Sequence, residues 1–122
     1  MWHGNIAEQM VAYELISNDY RVSSKRKYWV RNKKGSDAEI DFIIQKDSQI
    51  IPVEVKSGHN ARLKSLQIFM ENSPAEIAIR VWSQTFSIDE ITLSSSKKYR
   101  LYNVPFYYVG QLKNLINNIE TR

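Results

Sequence analysis

Cysteine is absent from this 122-residue chain, which excludes disulfide bridges and thiolate metal sites and suits a reducing compartment. Long apolar runs are absent as well. No stretch approaches the ~20 apolar residues that cross a bilayer, and the start Met1-Trp2-His3-Gly4-Asn5 lacks the apolar core of a secretory leader. A cytoplasmic protein with no membrane partner is expected. There is no internal repeat, low-complexity tract or linker, so one domain spanning residues 1–122 is expected. A G-x-x-x-x-G-K-[ST] loop is missing too, and the chain is not expected to bind or hydrolyse ATP. Histidine is scarce: His3 stands beside the amino terminus, where disorder is expected, and His59 in a polar loop reads more simply as a solvent-exposed residue than as a ligand of phosphate or metal.

What is present begins with charge. The composition, 43% hydrophobic and 25% charged, is that of an ordinary globular chain, but the net charge is +4 and the pI about 9.3. Basic clusters lie at Arg21 to Lys34, at Arg62-Leu63-Lys64 and at Lys97-Lys98-Tyr99-Arg100. Such a balance favours a polyanion such as nucleic acid, although lysines on solvated loops and strand edges give the same count. Tyr28 and Trp29 in the first cluster could stack on bases or belong to the core.

Apolar spacing predicts a helix from about Gly4 to Ser17, with Ile6, Met10, Val11, Leu15 and Ile16 as its stripe. Glu8 shares the face of Val11, Ala12 and Leu15, so it is either an acid of a site or the anchor of a buried ion pair. An extended segment follows from Tyr20 to Arg31, ended by Asn32-Lys33-Lys34-Gly35. Beyond Lys56, the loop Ser57-Gly58-His59-Asn60 leads to a helix over about Arg62 to Asn72, stopped by Ser73-Pro74. Glu76 to Trp82 reads as a strand parallel to the one before the helix. Short strands around Ile91 to Leu93 and Tyr99 to Val104, then a helix from about Tyr107 to Ile119, complete an α/β chain with an α-β-β-β-α-β core.

The chemistry concentrates in one hairpin. Ala38-Glu39-Ile40-Asp41-Phe42-Ile43-Ile44 and Ile50-Ile51-Pro52-Val53-Glu54-Val55-Lys56 are rich in strand-forming residues, and Asp47-Ser48 between them is a turn signal. A two-residue turn sets Lys46 against Gln49, hence Asp41 against Glu54 and Glu39 against Lys56, where Glu39 would orient the lysine. A three-residue turn would shift every pair by one. Alternation puts Ile51, Val53 and Val55 on one face and Pro52, Glu54 and Lys56 on the other. Two carboxylates opposed at ~5 Å repel each other and call for a cation between them, and Mg²⁺ or Mn²⁺ is the natural candidate. The plainer alternative is a solvated face with weak charge pairs.

A helix glutamate, a strand aspartate and a Glu-x-Lys on the next strand, in this order of elements, resemble the PD-(D/E)XK, or restriction-endonuclease-like, nuclease superfamily. Within it, Gly4-Asn5-Ile6-Ala7-Glu8, Ala38-Glu39-Ile40-Asp41-Phe42, Pro52-Val53-Glu54-Val55-Lys56-Ser57-Gly58 and the later Val104-Pro105-Phe106-Tyr107 are similar to the uncharacterised C-terminal domain of prokaryotic AAA-type ATPases. With the last of these included, the likeness extends over nearly the whole chain. The resemblance implies a mixed central sheet flanked by helices, with Asp41, Glu54 and the Val55 carbonyl as ligands of Mg²⁺ or Mn²⁺, Lys56 as the catalytic lysine and Glu8 as an accessory acid. It also implies an ATPase module as partner, in cis or in trans, and nucleic acid, DNA first, as substrate, with Arg62, Lys64 and Gln67 near it. Ile40 stands where the name-giving proline would be, and Glu71 where a Q-x-x-x-Y motif begun by Gln67 would place tyrosine. The alternative implied function is a catalytically silent module that binds nucleic acid or protein, with Tyr102, Phe106 and Tyr108 as a contact surface.

Overall fold

Lys46 and Gln49 face each other across a two-residue turn, and the pairings through Gln45–Ile50, Ile44–Ile51, Ile43–Pro52 and Phe42–Val53 follow from that register. Asp47 takes a φ of 55° there, the left-handed conformation that a tight hairpin asks of its first turn residue and that aspartate tolerates. The computed structural model describes residues 2–29, 37–56 and 63–119. Within them the chain runs α1 (Trp2–Leu15), β1 (Arg21–Trp29), β2 (Asp37–Lys46), β3 (Gln49–Val55), α2 (Lys64–Glu71), β4 (Ile77–Trp82), β5 (Ser87–Thr92) and β6 (Lys98–Pro105), then a 3-10 turn (Phe106–Gln111) and α3 (Leu112–Asn118).

The six strands form one mixed sheet in the order β1-β2-β3-β4-β6-β5. β3, β4 and β6 run parallel at its centre, and antiparallel β1–β2 and β5 flank them. The α-β-β-β-α-β order expected from the sequence is the order observed. Ile77-Ala78-Ile79-Arg80-Val81 is buried throughout, as a central parallel strand covered on both faces must be.

Strand alternation splits the core in two. Phe42, Ile44, Ile51, Val53, Ile79, Val81 and Val104 pack with Val11 and Leu15 of α1 and with Leu112 and Ile116 of α3. On the opposite face Ile43, Ala78 and Leu101 pack with Leu66, Phe69 and Met70 of α2. Glu54 therefore lies on the α2 face, away from Ile51 and Val53.

The stripe predicted for α1 is corrected. Ala7, Val11 and Leu15 are buried, whereas Ile6, Met10 and Ile16 are 44%, 50% and 66% exposed. The helix is apolar on two sides, so periodicity alone does not choose the face that docks. The last helix also differs: its first part, Phe106–Gln111, winds as a 3-10 turn before α3 begins.

Two lysines cap helices, and one of them, Lys97, belongs to a cluster that the sequence counts toward a basic surface. Lys97 Nζ donates to the carbonyls of Met70 and Ser73 at 2.7 Å each, closing the C-terminal end of α2. Lys46 Nζ donates to Ile116, Asn117 and Ile119 at 3.0, 3.1 and 3.1 Å, closing α3. A cation on the orphan carbonyls of a helix end is favoured by the helix dipole as well as by the bonds. Lys46→Met is expected to lower stability by about 1–2 kcal/mol, read as a lower urea midpoint with unchanged m-value.

Candidate functional site

Beyond Phe42 and Val53 the ladder between β2 and β3 ends, and a side chain takes over the next bond. Asp41 Oδ2 accepts the Val55 N–H at 2.8 Å. On the other edge of β3, the N–H of Lys56 donates to the Val81 carbonyl at 2.8 Å. Neighbouring residues of a strand turn their backbone groups to opposite edges, so the Val55 carbonyl, like its N–H, faces the edge occupied by Asp41. The register that opposes Asp41 to Glu54 thus ends in a local splay of the two strands, with the aspartate wedged into it.

Glu54 is only 4% exposed. Burial pushes its carboxyl up to about 8, helped by a hydrogen bond shared with Asp41 and by the charge of Asp41, and opposed by Lys56. Lys56 Nζ stands 3.4 Å from Glu54 Oε2 and is partly open to solvent. Near neutral pH the Glu54 carboxyl therefore keeps its proton beside Asp41. Asp41, Glu54 and Lys56 meet at the carboxyl end of β3, with Glu54 buried and Lys56 partly open to solvent.

The structure brings together Asp41, Glu54, Val55 and Lys56 and leaves the other candidates elsewhere. Glu8 is half-buried on α1, which packs on the opposite face of the sheet from α2. Among the described residues no three His, Cys, Asp or Glu side chains gather into a metal-sized cluster, so the acids form a pair without Glu8. Lys64 and Gln67 are exposed on the outer side of α2. Glu71 accepts a hydrogen bond from Ser94 Oγ at 3.1 Å, on the loop between β5 and β6. Arg62 and His59 lie outside the described residues, as do the side chains of His3, Tyr28, Trp29 and Glu39. Glu39 and Lys56 do not form a ladder pair; in register Glu39 stands opposite Lys27 of β1. Tyr102, counted toward an exposed contact surface, is buried, while Tyr108 is 45% exposed.

A family model described as a domain of unknown function, DUF4143, matches residues 3–99. The chain belongs to the DUF4143 family. The match holds the acid pair, Lys56 and the strand that follows α2, and it ends before the Val104-Pro105-Phe106-Tyr107 segment that the sequence likeness included. No curated protein matches the chain.

This DUF4143 domain also carries polar residues beside the acid pair that the motif pattern does not include. Arg80 of β4 is in register with Glu54 on one side and with Asn103 of β6 on the other. Both are buried, Arg80 at 6% and Asn103 at 0% exposure. Arg80 Nε donates to Asn103 Oδ1 at 2.7 Å, and burial lowers the guanidinium pKa while the charge of Asp89 raises it. One signal was readable: a single arginine inside Ile77-Ala78-Ile79-Arg80-Val81-Trp82 is out of place unless something holds it. What holds it could not be read, because the β4–β6 pairing is set by tertiary packing.

Among the described residues no helix is long and apolar enough to cross a membrane.

Proposed function

We propose that this domain is a metal-dependent phosphodiesterase of the PD-(D/E)XK type acting on nucleic acid, with Asp41, Glu54 and the Val55 carbonyl as the ligands of one Mg²⁺ or Mn²⁺. The observation that carries the reading is the adjacent Asp41 and Glu54 carboxyls, the glutamate buried, with Lys56 3.4 Å from Glu54 and the Val55 backbone turned toward Asp41. The donor set fits a hard divalent ion: oxygen ligands only, two of them carboxylates, with a buried Glu54 whose raised pKa a nearby cation would lower. Such an ion supplies Lewis-acid polarisation of a phosphoryl oxygen and a bound water of lowered pKa.

The chain's own residues do the rest. Asp41 is oriented by the Val55 N–H, so its free lone pairs are presented in a fixed direction. Glu54, taken from water by its surroundings, would give up its proton to serve as a ligand of the ion. Lys56 keeps a partly exposed ammonium at the mouth of the pair, where it can hold an attacking water or neutralise charge developing on the phosphate. The net charge of +4 favours a polyanionic substrate. The likeness to C-terminal domains of AAA-type ATPases supports an ATPase module as partner. Incubation of labelled DNA and RNA with the protein in Mg²⁺ or Mn²⁺ tests the reading: cleavage is expected and is lost in EDTA. Wild-type rates from both Asp41→Asn and Lys56→Met would refute it.

A further inference from the structure

A guanidinium and an indole stand beside the acid pair on the neighbouring strand. Arg80 pairs in register with Glu54, the ladder ends at Val55–Val81, and the Lys56 N–H bonds the Val81 carbonyl, so Lys56 and Trp82 are the next residues of the two strands. By strand alternation Arg80 and Trp82 emerge on the same face as Glu54 and Lys56. The central carbon of the guanidinium lies 4.0 Å from the centroid of the Trp82 ring, a close cation–π stack.

Both members of the stack are fixed from behind. Arg80 is tied to Asn103, and the Asn103 amide donates to Ser87 Oγ at 2.9 Å and Asp89 Oδ2 at 2.8 Å. Trp82 Nε1 donates to the Thr85 carbonyl at 3.1 Å. Side chains from β4, β5 and β6 thus hold one indole in one orientation, and burying a cation to do so is costly. Trp82 remains only half-buried. It sits at the carboxyl ends of β3, β4 and β6, the end of a parallel sheet where open α/β folds take their ligands.

We infer that Trp82, clamped by Arg80, is a stacking platform for an unpaired nucleobase of a chain whose phosphate reaches the site at Asp41, Glu54 and Lys56, so that the domain takes single-stranded nucleic acid. The inference rests on the phosphodiester reading of that site and adds its substrate class. A base inside a duplex has both faces covered by its neighbours and cannot reach an indole fixed in the protein, whereas an unpaired base offers a face at no unstacking cost. The contact is tolerant of sequence, because every base has such a face.

Fluorescence anisotropy tests it without metal. A labelled single strand of roughly 12 nucleotides and the same sequence as a duplex are titrated with protein in EDTA, using wild type, Trp82→Phe and Trp82→Leu. Wild type is expected to prefer the single strand by about tenfold or more; Trp82→Phe keeps the preference, and Trp82→Leu loses it with duplex affinity unchanged. Equal binding of the two forms by wild type, a preference that survives in Trp82→Leu, or no binding of either form overturns the inference. Quenching of the Trp82 emission by the single strand, read as the difference between wild type and Trp82→Phe because Trp2 and Trp29 remain in both, is expected and decides the same question should the leucine variant not fold; equal quenching in the two overturns the inference. Cleavage is scored separately: cleavage without strand preference defeats only this inference, and preference without metal-dependent cleavage defeats only the phosphodiesterase reading.

Discussion

Asp41→Asn and Lys56→Met are each expected to lower metal-dependent cleavage at least about a hundredfold while leaving the fold intact. The size follows from what each change removes. Asparagine still accepts the Val55 N–H through its amide oxygen, so the wedge between β2 and β3 persists, but the anionic ligand is gone. Methionine keeps the length and apolar stem of Lys56 and removes the ammonium 3.4 Å from Glu54. Initial rates at saturating Mn²⁺, beside circular dichroism and urea midpoints, separate lost chemistry from lost structure. Lys113→Met is the control: Lys113 is exposed on α3, on the face of the sheet away from Glu54, and its replacement is expected to change the rate no more than a few-fold.

The second large effect is on stability. In the metal-free protein the Glu54 carboxyl is raised from 4.5 to about 8 by burial and by Asp41. Between those two values the native state keeps a proton that the unfolded chain releases, so stability falls as pH rises through this window, by roughly 1.4 kcal/mol per pH unit at most. Below the lower value both states are protonated and the contribution is fully present; above about 8 it has been lost. Glu54→Gln mimics the neutral carboxyl at all pH values, so its stability curve is expected to be flatter and to rise above wild type under alkaline conditions. Urea midpoints of both proteins from about pH 5 to about pH 9 decide it. Parallel curves would mean that Glu54 does not keep its proton through this window.

The hairpin was legible in the sequence because its signals are local. A two-residue turn fixes the register, and alternation then fixes the face of every residue from Asp41 to Lys56. The order of elements and the parallel β3–β4 crossover were legible for the same reason: strand and helix periods differ, and a helix between two strands brings the chain back in the same direction. What escaped depends on contacts distant in sequence. Arg80 lies beside Glu54 only because β4 docks parallel to β3 in one register out of several that its apolar residues allow. Asp89, Asn103 and Arg80 meet only because β6 lies between β4 and β5. Lys97 looked like part of a basic patch since nothing near it in sequence reveals the α2 carbonyls that it caps. On α1 the outward face is as apolar as the inward one, and only the packed sheet distinguishes Ile6 and Met10 from Ala7 and Val11.

The cation site is tested most directly by calorimetric titration of Mn²⁺ into wild type, Asp41→Asn and Glu54→Gln near pH 7, repeated in buffers of different ionisation enthalpy. Wild type is expected to bind at one site and to release close to one proton as the ion replaces the one held by Glu54, and neither variant is expected to bind measurably. Mn²⁺ bound equally by all three proteins, or by none, would contradict the cation site and leave Asp41 as a side chain that only ties β2 to β3.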